Sequence, residues 1–152
     1  MSNSLVFLTT LIVNGLGQAT PSQLDDWSLI TAKNGDRLAI TRQKDTNHNL
    51  VYRCFREGQR GCAFILQPEL RCRHGKSYPT LVSNGKRSQL INAICAQKDA
   101  TYNLVMKDYK TMQRLILDSN HLGIAIPLAQ GQFRTVTFPV KGALNAFKSV
   151  AP

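Results

Sequence analysis

The sequence predicts an all-β fold: one antiparallel domain, a sandwich or small barrel, with at most one or two short helices and disulfide bracing. Three observations predict it. Short segments of alternating or β-branched residues recur along the chain, turn signals separate them, and there are four cysteines. Neither a βαβ pattern nor an internal repeat, low-complexity stretch or linker interrupts this series.

The segments follow in order. Trp27 to Lys33 and Asp36 to Arg42 flank Asn34-Gly35, a strong hairpin signal, with Leu38 and Ile40 on one face and Arg37 and Thr41 on the other. Asp45 to Asn49 is a polar loop. Leu50 to Phe55 and Cys62 to Gln67 are β-branched and aromatic, joined by the charged stretch Arg56 to Gly61. Ser77 to Val82 is a strand that Pro79 assigns to a sheet edge, because proline cannot donate to a ladder. The turn Ser83-Asn84-Gly85-Lys86 precedes Gln89 to Gln97, which is apolar on both faces and reads as a strand buried on both sides. Tyr102, Leu104 and Met106 alternate. Asp108 to Asp118 fits a helix through Met112, Leu115 and Ile116, and Leu115 to Leu117 also fits a strand. Leu122 to Leu128 and Gln132 to Val140 surround the Gln130-Gly131 turn, with Val136, Phe138 and Val140 on one side, and Gly142 to Phe147 closes with a helical turn.

At 152 residues the chain has the size of one domain and needs no staple to form a core. Its 19 Lys and Arg against 9 Asp and Glu give a formal charge of +10, which draws the surface toward something anionic: nucleic acid, acidic lipid, acidic glycan or acidic protein. The stretch from Met1 to Ala19 carries no charged side chain. Leu5 to Val13 has the length of a secretory apolar region and is too short to span a membrane, and Gly17-Gln18-Ala19 supplies the small residues read by a signal peptidase. The expectation is a signal peptide over 1–19, lacking the usual basic start, and a single β-rich domain over 20–152 with no transmembrane segment. The alternative is a first buried strand.

Cys54, Cys62, Cys72 and Cys95 make an even set, which in a small exported chain reads as two disulfides. Three pairings are open. The favoured one joins Cys54 to Cys62 across a hairpin and leaves Cys72 to Cys95, since paired strands bring cysteines to the ~5.5–6 Å Cα separation a disulfide requires. Gaps of 7, 9 and 22 residues contain no Cys-x-x-Cys knuckle, so no metal site is expected and no other cofactor is implied.

The strongest local feature is a basic middle: Arg53, Arg56, Arg60, Arg71, Arg73, Lys76, Lys86 and Arg87, against Glu57 and Glu69 alone. Tyr52, Phe55 and Tyr78 are interleaved. Alternation puts Arg53 opposite Tyr52 and Cys54, and Arg71 and Arg73 opposite Cys72, giving an outward arginine surface with Tyr52 turned to the core. The same residues also describe an ordinary solvated hairpin face. No catalytic residue is identified: His48, His74 and His121 read as loop positions, Asp25-Asp26 as a lead-in, and there is no nucleophile elbow, P-loop or dinucleotide fingerprint.

Tyr52-Arg53-Cys54, followed by Gly61-Cys62-Ala63-Phe64, resembles the paired-cysteine strand of the invasion-associated locus B family. The stretch from Thr135 to Phe147, ThrValThrPheProValLysGlyAlaLeuAsnAlaPhe, is similar to that family's closing strand and glycine-containing turn. Unlike that family, this chain has no cysteine between Trp27 and Cys54. The resemblance implies an exported bacterial β-sandwich with an envelope or secreted role linked to host-cell entry and no catalytic residues.

The leading expectation is therefore a non-catalytic periplasmic or secreted bacterial protein that presents a basic face to an acidic protein or to an anionic envelope or host surface component, lipid or glycan. The second is a nucleic-acid binder with reduced cysteines, and the third a hydrolase whose site only the fold assembles. Nothing in the sequence sets an oligomeric state.

Overall fold

The computed structural model describes residues 22–55, 61–68, 70–127 and 131–151. The expected signal peptide over 1–19 therefore lies outside the described residues, as do Arg56 and Arg60. The described residues hold ten strands and two helices. In chain order these are β1 Ser22–Leu24, β2 Trp27–Thr31, β3 Arg37–Arg42, β4 Asn49–Phe55, β5 Gly61–Gln67, β6 Ser77–Ser83, β7 Ser88–Lys98, β8 Thr101–Met106, α1 Tyr109–Leu117, β9 His121–Pro127, β10 Phe133–Pro139 and α2 Ala143–Val150.

All ten strands form one antiparallel sheet in the order β1-β2-β3-β4-β5-β8-β7-β6-β9-β10. Consecutive hairpins run from β1 to β5. The order then jumps, with β5 pairing to β8 and β6 pairing to both β7 and β9. The sheet curls over its core without closing. Its two ends are linked by separate contacts rather than a ladder. Thr41 Oγ1 donates to the Pro139 carbonyl at 2.6 Å, Trp27 Nε1 to that of Val140 at 3.3 Å, and Lys141 N to Asp26 Oδ2 at 2.8 Å.

The inward face supplies the core. Trp27, Tyr52, Phe64, Leu66, Leu104, Met106, Leu122, Ile124 and Phe138 are buried there together with Met112 and Ile116 of α1 and Ala146 and Phe147 of α2. Phe147 joins an aromatic cluster, its ring centroid 5.5 Å from Trp27, 4.7 Å from Tyr52 and 5.6 Å from Phe64. Edge and tilted contacts of this kind add to the burial of each ring. A second, smaller cluster of Ile30, Leu38, Ile40 and Val51 lies on the opposite face of the same strands, with Ile65 against it.

The disulfides join Cys54 to Cys62 and Cys72 to Cys95. Cys54 and Cys62 face each other directly in the β4–β5 register with Cα atoms 4.0 Å apart, and the second pair spans 5.9 Å.

Several sequence expectations are corrected. Asp25 and Asp26 are a built turn between β1 and β2, not a lead-in: Asp26 N donates to the Lys141 carbonyl at 3.1 Å. Thr41 is buried, because the returning chain end accepts its hydroxyl hydrogen bond. The β7 strand is buried on one face alone. Ile91, Ala93 and Cys95 turn inward, whereas Leu90 is 69% exposed, since none of the described elements covers the outer side there. The β6 strand is an edge only in its first half: its ladder to β9 begins at Leu81, beyond Pro79. His48 lies in the β3–β4 loop as expected but is buried there, whereas His121 opens β9 and is not a loop position. The ambiguous Asp108–Asp118 stretch is a helix, capped by Asp108 Oδ1 accepting from Thr111 N at 3.3 Å, with Met112, Leu115 and Ile116 inward at helical spacing.

Candidate anion-binding cleft

The chain leaves β5 at Gln67 and does not rejoin the sheet until Ser77. This connection crosses the end of the sheet where β6 has no β9 partner, and it forms a cleft of two lobes that share Pro68, Leu70 and Arg71. The larger lobe, about 420 Å³, has Arg71, Lys76 and Tyr78 on its wall and Leu104, Ile126 and Pro79 among its apolar lining. The smaller, about 300 Å³, is lined by polar residues of β4, β5 and β8, including Asn49, Gln67 and Thr101. Both volumes lie in the range of small-molecule sites, and the mouth of a curled sheet is a usual place for one.

The basic part of this connection is held firmly. Cys72 is tied to Cys95 of β7. Gly75 N donates to the Cys95 carbonyl at 2.8 Å, Cys95 N to the Lys76 carbonyl at 2.9 Å, and Gln97 N to His74 Nδ1 at 3.0 Å. Arg73 N donates to the Tyr78 hydroxyl at 2.9 Å, and the Lys76 ammonium sits 5.3 Å from the centre of the Tyr78 ring. The backbone is fixed while the side chains of Arg71, Arg73 and Lys76 face solvent. None of the three makes an ion pair among the described residues. Arg71 and Lys76 line the cleft and Arg73 lies between them on the braced strap, so three cations within six residues, without ion pairs among the described residues, concentrate positive potential beside it.

The other described members of the sequence-predicted basic set, Arg53, Lys86 and Arg87, lie elsewhere. Arg53 is on the outer face of β4, where its Nη2 pairs with the buried Asp36 carboxylate at 2.6 Å and its guanidinium lies 5.0 Å from the Phe55 ring centre. Lys86 and Arg87 occupy the β6–β7 turn, at the far end of the seven-residue β6 from Lys76. That separation is roughly 24 Å at the ~3.4 Å rise of a strand. Lys86 is accompanied by Asp118, with its ammonium 3.0 Å from the Asp118 carbonyl and 3.8 Å from the carboxylate. Sequence proximity had joined three separate groups: the strap borders the two-lobed cleft, Arg53 lies on the outer face of β4, and Lys86 lines an open depression with its companion Asp118 and with His121.

Sequence reasoning missed the amide wall. Asn49 and Gln67 are directly paired across β4 and β5. The signal was present, because pairing Cys54 with Cys62 fixes a register that sets Asn49 opposite Gln67. Among titratable groups, Tyr52 is shifted: burial raises its phenol above the usual value, repulsion from Tyr109 adds to this, and a hydrogen bond from Gln113 opposes it. Tyr52 is a core residue away from the cleft. Among the described residues no group of three or more His, Cys, Asp or Glu side chains is placed to hold a metal ion, and no helix is long and apolar enough to cross a membrane.

The fold and cleft thus define a disulfide-braced, open antiparallel sheet with a basic strap across its mouth. The crystal structure of invasion associated protein B from Bartonella henselae is similar in fold, with a TM-score of 0.65 over 87% of this chain and 96% of that one, at 13% identity. No protein-family model and no curated protein matches the sequence.

Proposed function

We propose that this chain is a non-catalytic, exported bacterial binding protein of the periplasm or cell exterior, related to the invasion-associated locus B proteins. It holds an acidic partner (protein, lipid or glycan) on Arg71, Arg73 and Lys76. The observation that carries the reading is the strap itself: three cations without carboxylate partners among the described residues, on a segment fixed by a disulfide, of which Arg71 and Lys76 line a cleft. Two disulfides fit an oxidising compartment, and the apolar, uncharged stretch up to Ala19 supports export.

Binding is tested with three immobilised polyanions: heparin, phosphatidylglycerol vesicles and polyglutamate. The expected result is that Arg71→Ala, Arg73→Ala and Lys76→Ala together weaken at least one by tenfold or more, whereas Lys86→Ala with Arg87→Ala has little effect. Equal losses would mean that net charge alone is read, and the assignment to the strap would be wrong. Duplex DNA serves as the competing probe. If it binds tightest and loses affinity steeply with salt, the nucleic-acid reading replaces this one. Intact-mass measurement of protein expressed with its own N-terminus tests export. The expected outcome is loss of residues 1 to 19 and a gain of about four daltons on reduction, one hydrogen per sulfur; an intact chain with four free thiols contradicts it.

A further inference from the structure

We propose that the smaller lobe of the cleft is a subsite for an acidic sugar, with hydroxyls taken by an amide wall and the carboxylate by Arg71. This rests on the reading of the strap as an anion-binding site and names its ligand class.

The lobe gathers Asn47, Asn49, Gln67, Arg71, Thr101 and Tyr102. Asn49 is 1% exposed, and its Nδ2 donates to Gln67 Oε1 at 3.3 Å while its Oδ1 has no hydrogen-bond partner. Continuing the β5–β8 register places Asn103 beside Gln67, and Asn103 Oδ1 is likewise buried without a partner. Buried acceptors are ordinarily satisfied, so two in one row mark a place where a donor is missing. Asn49 itself lines the lobe, so this unpartnered acceptor belongs to one of its wall residues.

A sugar ring fits this chemistry. Its hydroxyls donate to amide oxygens and accept from amide nitrogens, and its C–H face suits the half-buried Tyr102 ring and the Pro68 and Leu70 side chains beside it. The described lining residues include no carboxylate, and Arg71 is the one cation among them, so an acidic sugar is favoured over a neutral one. Arg71 also lines the second lobe with Lys76, which gives a longer acidic glycan a continuous path onto the strap.

The test is amide chemical-shift titration of the full chain with two disaccharides: glucuronate linked to N-acetylglucosamine, and the neutral N,N′-diacetylchitobiose. The acidic disaccharide is expected to move the amides of Asn49, Gln67 and Thr101 and to bind at least tenfold tighter than the neutral one. Arg71→Ala is expected to reduce it to the neutral level. Asn49→Asp, which keeps the side-chain shape but adds negative charge, is expected to abolish its binding, and Lys86→Ala with Arg87→Ala to leave it unchanged. Unmoved lobe amides, or wild-type binding by N49D, overturn the subsite. If heparin binding still depends on Arg71, Arg73 and Lys76 in that case, the sugar subsite alone falls; if it does not, the anion-binding reading falls with it.

Discussion

Replacing each disulfide by an alanine pair separates the two crosslinks. Cys54 and Cys62 are 8 residues apart, and Cys72 and Cys95 are 23 apart. In the chain-entropy treatment a crosslink restricts the unfolded state by an amount that grows with the logarithm of the loop it closes. For these lengths the contributions are about 2.5 kcal/mol for Cys54–Cys62 and about 3.4 kcal/mol for Cys72–Cys95. C72A/C95A is therefore expected to lose about 1 kcal/mol more than C54A/C62A. Removing both partners avoids a stray thiol and leaves two small side chains in place of the bridge in each case. The assay is urea unfolding with linear extrapolation. Only C72A/C95A is also expected to weaken polyanion binding, because Cys72 anchors the strap that carries Arg71, Arg73 and Lys76. Equal losses, or the reverse order, would refute the loop-length argument. Unchanged binding by C72A/C95A would refute the claim that the disulfide holds the strap in place.

Two further outcomes follow from single positions. Gly142 has φ +84, and an added Cβ would lie 2.7 Å from the Cβ and Oδ2 of Asp25; Gly85 has nearly the same φ, +86, with nothing within 4 Å. Gly142→Ala is thus expected to lose more than about 2 kcal/mol, whereas Gly85→Ala loses only the ~1–2 kcal/mol of the left-handed backbone; thermal melts distinguish them, and equal losses contradict the packing argument. Burial raises the phenol pKa of Tyr52 above its usual 10.0, so the neutral form is favoured by folding. Its contribution is complete below pH 10 and is lost as pH climbs through the folded-state value, so the wild-type melting temperature is expected to fall more steeply above pH 10 than that of Tyr52→Phe. Parallel profiles would show that Tyr52 does not govern alkaline stability.

Much of the fold was legible because local rules and tertiary contacts agree. Asn34-Gly35 turns between β2 and β3, Gly35 taking the positive φ such a turn requires. Cys54 and Cys62 set the β4–β5 register, and Val136, Phe138 and Val140 turn inward together. Illegible features depended on which strands become neighbours. Pro79 correctly signalled a missing ladder, but sequence could not show that β9 covers only the second half of β6. Likewise Thr41 looks solvent-facing until the chain end returns to it from Pro139. The basic set was read as one surface because its members are close in sequence; the long β6 strand separates them and Asp36 engages Arg53. The cleft needed both features, a half-paired β6 and a strap tied to β7, and neither is a local property.

The most direct test of the central claim is a chemical-shift map of the labelled protein with heparin at moderate salt. An anion held by the strap would concentrate perturbations at 70–78 and at the facing residues of β7 and β8, with little change at the 84–88 turn despite its own exposed Lys86 and Arg87. Shifts spread evenly over every basic residue, or centred on Lys86 and Arg87, would contradict that claim.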